Sequence, residues 1–367
     1  MNMTIKDVKI INFDNIIECA DVVIKDKKIA QIIPSNNQAT KILIPGFFDT
    51  HIHGFVGHDV MDSAEAVQKI SLALAKTGVT SFYPTAMTNT WSKIIESFQT
   101  ISHTEVQGAK IQGIHIEGPF LKLEKKGAHD PKLLLDANRA NLTELIEAGN
   151  GKFRKISIDP LCIDHDNIQF LIQNNVEVSI GHSNAEFKVA NEAFKSGATN
   201  TCHLWNAMSG VDSRRPGIAQ AALMNNQVFS ELICDFYHVN PETVKFTIQN
   251  KGTDKVVMIS DAIKPAYGSD GLSVSGGIPV EKHGIAITLA GTNTIAGSGI
   301  SLYDSFKNLI KIGYTIQEAV QMCSYNPAVA SKVEQIGYIK ENYYADFVLL
   351  DQNLNIEHVY VNGKEIQ

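Results

Sequence analysis

The sequence predicts an α/β protein: a parallel (β/α)8, TIM-like barrel carrying a small discontinuous β-sandwich domain formed by both chain termini. Eight short apolar runs succeed one another along the middle of the chain: KILIPGF, VTSFYPT, KIQGIHIEG, KISIDP, VEVSIGHS, ATNTCHL, SELICD and KVVMISD. Most are followed by a helical pattern, and apolar strands alternating with amphipathic helices are what a parallel barrel requires. Both ends of the chain are β-rich instead. The length of 367 residues is more than twice the roughly 150 of a typical domain, which suits a large barrel with an appendage.

Taken in order, VKIINF and DVVIKDKKIAQII alternate as strands do, with Asp26 and Lys27 where a tight hairpin turn falls. Residues 1–44 are read as the first part of the small domain and 45–337 as the barrel. Within the barrel, SAEAVQKISLALAKTG has Ser63 as N-cap and Gly78 as stop, and AEFKVANEAFKSG ends at Gly197. The last helical segment, TIQEAVQMCSYNPA, is expected to stop near Asn326 and Pro327. Residues 338–367, with ADFVLLDQ and HVYVNGKEI, complete the small domain.

Composition narrows the function. Apolar residues at 44 % and charged residues at 19 % are ordinary for a soluble globular protein and exclude wholesale disorder. The net charge of −7 and the lack of a dense Lys/Arg run argue against a nucleic-acid partner. The polar start MNMTIKDVKIINFD is unlike a signal peptide, and no apolar stretch approaches the roughly 18 residues of a membrane span, so a cytoplasmic protein with no membrane partner is expected. Five cysteines, Cys19, Cys162, Cys202, Cys234 and Cys323, are odd in number and never form CxxC. They are read as small core residues rather than a disulfide framework or a thiolate zinc site.

The chemistry lies in the polar residues at the strand ends, which a barrel gathers on one face. They are His51, His53, Glu117, His182, His203 and Asp261. Imidazole nitrogen and carboxylate oxygen on one rim suit a divalent metal. Period-two spacing points His51 and His53 to one side of an extended backbone, although an isolated HxH can also be a pair of hydrogen-bonded surface histidines. Glu117 ends the apolar IHIE run, where a carboxylate is costly unless metal-bound or held in a structural salt bridge. His182 and His203 each follow a strand, and either alone is equally a core histidine; Gly181 removes bulk beside the first. Asp261 is read as a proton shuttle for a bound water, or else as a helix N-cap.

The strings PGFFDTHIHG, HIEGPFL, KGAHDP, GHSNA, CHLWNAM and ISDA, in this order and spacing, closely resemble the N-acetylglucosamine-6-phosphate deacetylases of the amidohydrolase superfamily. The resemblance implies that Glu117, His182 and His203 hold the principal divalent ion and that Asp261 is the catalytic acid and base. It implies that His129 contacts substrate and polarises the acetamide carbonyl. Asn206, Ala207 and an Ile295, Ala296, Gly297 loop would contact the sugar. Arg214, in VDSRRPG, and His238, in CDFYHVN, would take the phosphate, reaching the neighbouring active site of a homodimer. Zinc or iron is the ion expected, with manganese and cobalt as further possibilities. Members of the family differ in whether the HxH pair is intact; this chain keeps it, so a second ion bridged by Glu117 is expected.

The reaction implied is hydrolysis of the acetamide of N-acetylglucosamine 6-phosphate to glucosamine 6-phosphate and acetate, in amino-sugar catabolism or cell-wall recycling. The rivals are a deacetylase of another hexosamine phosphate such as N-acetylgalactosamine 6-phosphate, a ring amidohydrolase using a carboxylated lysine after the fourth strand, and a silent sugar-phosphate sensor. The ring amidohydrolase is the weaker, because KISIDP ends in Asp159 and Pro160 while Lys155 lies near its beginning.

Overall fold

A computed structural model describes residues 2–366 of the chain. Strands β1 (Asn2–Ile11), β2 (Ile16–Lys25), β3 (Lys28–Pro34) and β4 (Lys41–Pro45) open the fold. Asp26 and Lys27 both adopt positive φ, the requirement of a two-residue hairpin turn. These strands join β17 (Phe347–Leu350), β18 (Ile356–Val361) and β19 (Lys364–Glu365) in one seven-stranded sheet, so both chain ends share it. The seam is the antiparallel pairing of β4 with β17, Pro45 opposite Phe347 and Ile42 opposite Leu350.

Strand alternation then attaches this sheet to the barrel. Leu43, Phe347, Leu349 and Tyr360 pack into the small sheet's own apolar cluster. Their neighbours Ile42, Ile44, Val348, Leu350 and Val359 point the opposite way, into the barrel core.

The barrel strands are β5 (Phe47–Ile52), β6 (Val79–Met87), β7 (Ile114–Glu117), β8 (Phe153–Ile158), β9 (Glu177–Ile180), β10 (Asn200–Thr201), β11 (Phe229–Ile233) and β12 (Val256–Ile259). They hydrogen-bond in sequence order and in parallel. Beyond the strand ends, the Asp261 N–H donates to the His51 carbonyl at 2.9 Å, bringing the last strand back to the first. Helices α1 (Ala64–Lys76) to α7 (Pro241–Lys251) lie between consecutive strands. In α1 the Ser63 side chain caps the Ala66 N–H, and Val67, Ile70 and Leu74 are buried at helical spacing.

Three local expectations change. First, KILIPGF does not form one barrel strand: Lys41–Pro45 belongs to the small sheet, and Phe47–Ile52 is the first barrel strand. His51 therefore lies on a strand rather than after a strand and turn. Second, the segment Ile295–Gly297 is not a loop. It begins β16 (Ile295–Ser298), the last of an antiparallel sheet with β13 (Gly271–Ser275), β14 (Ile278–His283) and β15 (Ala286–Leu289), inserted after β12. Third, the last helical segment does not stop at Asn326–Pro327. A π-helical turn, Gln321–Tyr325, carries it into a final short helix, Asn326–Ala330, with Pro327 in that helix's first turn.

The strands are also less apolar than the alternation of runs suggests. Register pairs His115 with Lys155 and Lys155 with Glu177, then Glu117 with Ser157 and Ser157 with Ser179. In-register neighbours share a face, so a polar layer fills the barrel interior. Ile114, Ile116, Ile156, Ile158, Val178 and Ile180, on the opposite parity, pack in the main core with the helices.

Candidate active site

Each of the rim residues stands at or just past a strand's C-terminal end. Glu117 ends β7, and His53 follows β5 directly. His182, His203 and Asp261 each lie two residues beyond β9, β10 and β12. His182 and Asp261 turn inward through left-handed backbone, φ 46° and 51°. Gly181 is required beside His182, because a Cβ there would stand 2.8 Å from Cys202 Cβ. No helix follows Asp261: its carbonyl accepts from the Ser298 N–H at 2.8 Å, which rules out the N-cap alternative.

These side chains converge on the Glu117 carboxylate. Its Oε1 is 2.8 Å from His203 Nε2, 3.0 Å from His182 Nε2 and 3.5 Å from His51 Nε2. Its Oε2 is 3.3 Å from His53 Nε2 and 3.4 Å from His129 Nε2. Asp261 Oδ1 lies 3.3 Å from His53 Nε2 and 3.6 Å from His51 Nε2. All seven residues are buried.

The tautomers show what the cluster lacks. His53 Nδ1 faces the Thr85 carbonyl at 3.0 Å, and His182 Nδ1 faces the Lys125 carbonyl at 2.9 Å. A carbonyl only accepts, so Nδ1 carries the proton in both rings and Nε2 offers a lone pair. Yet His182 Nε2 is 3.0 Å from His203 Nε2, and His51 Nε2 is 3.2 Å from His53 Nε2. Acceptors crowded on acceptors and on a carboxylate need a cation among them. The donors form two groups sharing Glu117, namely Glu117, His182, Cys202 and His203, and His51, His53 and Glu117, with a third, His51, Cys202 and Glu231, behind them. Neutral imidazole and carboxylate, with Nδ1 anchored behind, are the donor chemistry of a divalent transition metal.

Electrostatics say the same. Burial lowers the pKa of His51, but Glu117 and Asp261 overcome it and push the ring up to about 10. Against the same burial, hydrogen bonds to Asp261 and Glu117 push His53 up to about 9. Without another cation, these rings hold protons. Burial raises the Glu117 carboxyl, and His182 and His51 more than offset it, leaving it well below the usual range. Asp261 is likewise held ionised: burial raises it, while the charge of His51 and a hydrogen bond from His53 outweigh that. His129 differs, for burial drops it to about 4 and keeps it a neutral imidazole.

A cavity of about 350 Å³ opens over Glu117, lined among others by His129, Asn206, Ala207, His238 and Ile295–Gly297. His129 Nδ1 is 2.6 Å from Thr88 Oγ1. His238 lines the cavity of its own chain, its Nδ1 held 2.6 Å from Asp235 Oδ2, so it is not directed solely toward a neighbour. Arg214 does not line that cavity; it is exposed on the segment 211–215, where its N–H donates to Asp212 Oδ1 at 2.7 Å.

Two buried groups change the reading made from sequence. All five cysteines are free and buried, but Cys202 is more than core filling, since its Sγ lies 3.5 Å from Glu117 Oε1. Burial raises this thiol, and His203 beside it pulls it down to about 6. Lys155 points into the barrel interior and ion-pairs with Glu231. It is not at the rim, so a carboxylated-lysine bridge has no place here. Glu231 was hidden in SELICD, whose apolar flanks give no sign of function.

A model of the amidohydrolase family matches residues 42–366. The chain belongs to this family. Among its relatives, N-acetylgalactosamine-6-phosphate deacetylase of Escherichia coli O157:H7 is 32 % identical over 355 residues, 93 % of each chain. N-acetylglucosamine-6-phosphate deacetylase of Lysinibacillus sphaericus is 29 % identical over 383 residues, 99 % of this chain and 97 % of its own. Among solved structures, N-acetylglucosamine-6-phosphate deacetylase of Thermotoga maritima superposes with a TM-score of 0.91 at 29 % identity, covering 100 % of this chain and 99 % of that one. A variant of the Mycobacterium smegmatis enzyme in complex with N-acetyl-D-glucosamine-6-phosphate gives 0.92 at 25 % identity, with coverage of 100 % and 99 %. Amidohydrolases generally depend on divalent metal, and the cluster around Glu117 is able to bind one.

Proposed function

We propose that this amidohydrolase hydrolyses the acetamide of N-acetylglucosamine 6-phosphate, yielding glucosamine 6-phosphate and acetate in amino-sugar metabolism. The observation that carries the reading is the convergence of five imidazole Nε2 atoms on Glu117, with ionised Asp261 beside them. Glu117, His182 and His203 hold one divalent ion, and His51 and His53, sharing Glu117, hold a second. The N and O donor set suits zinc or iron, and also admits manganese or cobalt. Such an ion, when bound, polarises the acetamide carbonyl and acidifies water.

The chain's own groups do the rest. Asp261 takes a proton from the water that attacks the acetyl carbon, then delivers it to the nitrogen as the C–N bond breaks. With His129 Nδ1 2.6 Å from the Thr88 hydroxyl, the tautomer in which that hydroxyl donates leaves an Nε2–H on this neutral ring, beside Glu117 at the cavity floor, to donate to the developing oxyanion. Asn206, Ala207 and Ile295–Gly297 hold the sugar ring, and His238 faces its 6-phosphate. The exposed Arg214 serves the phosphate site of the other subunit in a homodimer, its planar fork suiting that anion.

Among the described residues no helix is long and apolar enough to cross a membrane, in keeping with action in the cytosol. The 32 % identity to a galactosamine-type enzyme makes the C4 epimer the reading to exclude. The test is acetate release from the gluco and galacto 6-phosphates and from unphosphorylated N-acetylglucosamine, on protein of measured metal content. Release confined to the gluco phosphate is expected. Preference for the galacto phosphate, or no release with metal loaded, overturns the assignment.

A further inference from the structure

The ring nitrogens of His53 and His182 that face away from Glu117 rest on backbone carbonyls. His51 is different: its Nδ1 lies 3.1 Å from the carboxylate oxygen Oε2 of Glu231. Glu231 stands mid-strand in β11 and is 1 % exposed. It is held from several sides. Its Oε2 also accepts from the His203 N–H at 3.3 Å, and its Oε1 from the Thr50 hydroxyl at 3.5 Å. Lys155, equally buried, ion-pairs with it, and the Lys155 Nζ reaches the Thr50 carbonyl at 3.4 Å.

An apolar strand has no structural need of a buried ion pair, since well-packed hydrophobic residues of the same volume would serve stability as well or better. The pair sits instead behind one metal-facing ring. A carboxylate that accepts from Nδ1 fixes which nitrogen carries the proton, which way the ring faces and how basic Nε2 is.

We propose that Glu231, charge-balanced by Lys155, is a positioning residue that presents the His51 Nε2 lone pair to Glu117 and thereby sets the affinity of the ion position formed by His51, His53 and Glu117. The inference rests on the reading of those three residues as an ion position. Glu231 does not line the cavity, and its hydrogen bond to the other donor group is to the His203 main chain rather than to a ring nitrogen, so its effect is expected to fall mainly on the position that uses His51. The N–H of His203 that donates to Glu231 Oε2 belongs to the main chain and leaves that ring's Nε2 free of the relay.

The experiment equilibrates the full-length enzyme against zinc buffered at a series of free concentrations and counts bound zinc by mass spectrometry. The variants are Glu231→Gln with Lys155→Met, which leaves no unpaired buried charge, and Glu231→Asp, which keeps the ion pair but draws the carboxylate back from Nδ1. Each is also made in a His51→Asn background. The weaker zinc position is expected to lose roughly 10- to 100-fold in affinity, with the tighter one unchanged and no further loss once His51 is gone. Glu231→Asp is expected to show the same selectivity even if the double substitution fails to fold. Equal weakening of both positions, a loss that persists in the His51→Asn background, or unaltered binding would overturn the positioning role. A wild-type enzyme holding one zinc that His51→Asn does not disturb removes the ion position itself, a different failure from two zincs indifferent to Glu231.

Discussion

Replacing Asp261 by Asn isolates proton transfer from everything else in the site. The backbone at 261 is left-handed, φ 51°, a conformation that Asn tolerates as well as Asp. Its structural hydrogen bonds, to the His51 carbonyl and from the Ser298 N–H, are made by main-chain atoms and survive the change. The side chain's neighbours are His53 and His51, at 3.3 and 3.6 Å, so the amide loses a negative charge and the ability to carry a proton. General acid–base catalysis contributes roughly 10²- to 10⁴-fold, equivalent to about 2.7–5.4 kcal/mol of transition-state stabilisation. The expected result is a fall of that size in kcat for acetate release, with zinc or iron content and melting temperature close to wild type. Two results would refute the reasoning. Turnover within a few-fold of wild type removes Asp261 from the chemistry, and loss of metal in step with activity makes it a ligand instead.

Further outcomes follow from the same geometry. Glu117→Gln, which removes the carboxylate shared by both donor groups, should abolish metal retention and with it the rise in melting temperature on adding metal; a preserved rise would contradict the shared role. His129→Asn should lower kcat roughly 10²- to 10³-fold at unchanged metal content, as loss of an oxyanion donor does, and an effect confined to KM would reassign it to binding. Arg214→Ala should raise KM for the phosphorylated sugar by roughly 10- to 150-fold, the worth of a charged hydrogen bond, while sparing the unphosphorylated one; equal effects, or a monomer in sedimentation, would count against a shared phosphate site. At the far end of the barrel, burial pushes Glu177 up from 4.5 to about 7 despite Lys155 and Lys332. A carboxyl raised on folding adds stability that is complete below its ordinary pKa and is lost as pH climbs through the folded value. Wild type should therefore lose ~2 kcal/mol between pH 5 and 9, after allowing for partial solvent access. Glu177→Gln should flatten that slope in denaturant titrations, and an unchanged slope would place the ionisation elsewhere.

Much of the site was legible because metal chemistry leaves a sharp trace at strand ends. HIH, IHIE, GHS and TCHL each place a ligand type where an apolar run stops, and the barrel brings such ends to one rim whatever the loops do. Boundaries were harder. The run KILIPGF is continuous in hydropathy, yet Gly46 divides it between two sheets, and only the partner of each half tells them apart. The inserted sheet of residues 271–298, which includes the Ile295–Gly297 segment expected to be a loop, is defined by strands that pair with one another.

What the sequence determined by itself was periodic and local: the alternation of strands and helices, the hairpin at Asp26 and Lys27, the caps at Ser63 and Gly78, and the residue types offered at the rim. These depend on the nearest few residues of chain. Tertiary structure decided what register and closure control. It set which strand residues face inward, so that Lys155 and Glu231 meet in the interior and Glu231 reaches His51 from 180 positions away. It placed Cys202 against Glu117 and His238 in its own chain's cavity, while leaving Arg214 outside it. Side chains from different strands become neighbours only when the barrel closes, and the stagger between those strands is a property of the whole sheet rather than of any one segment.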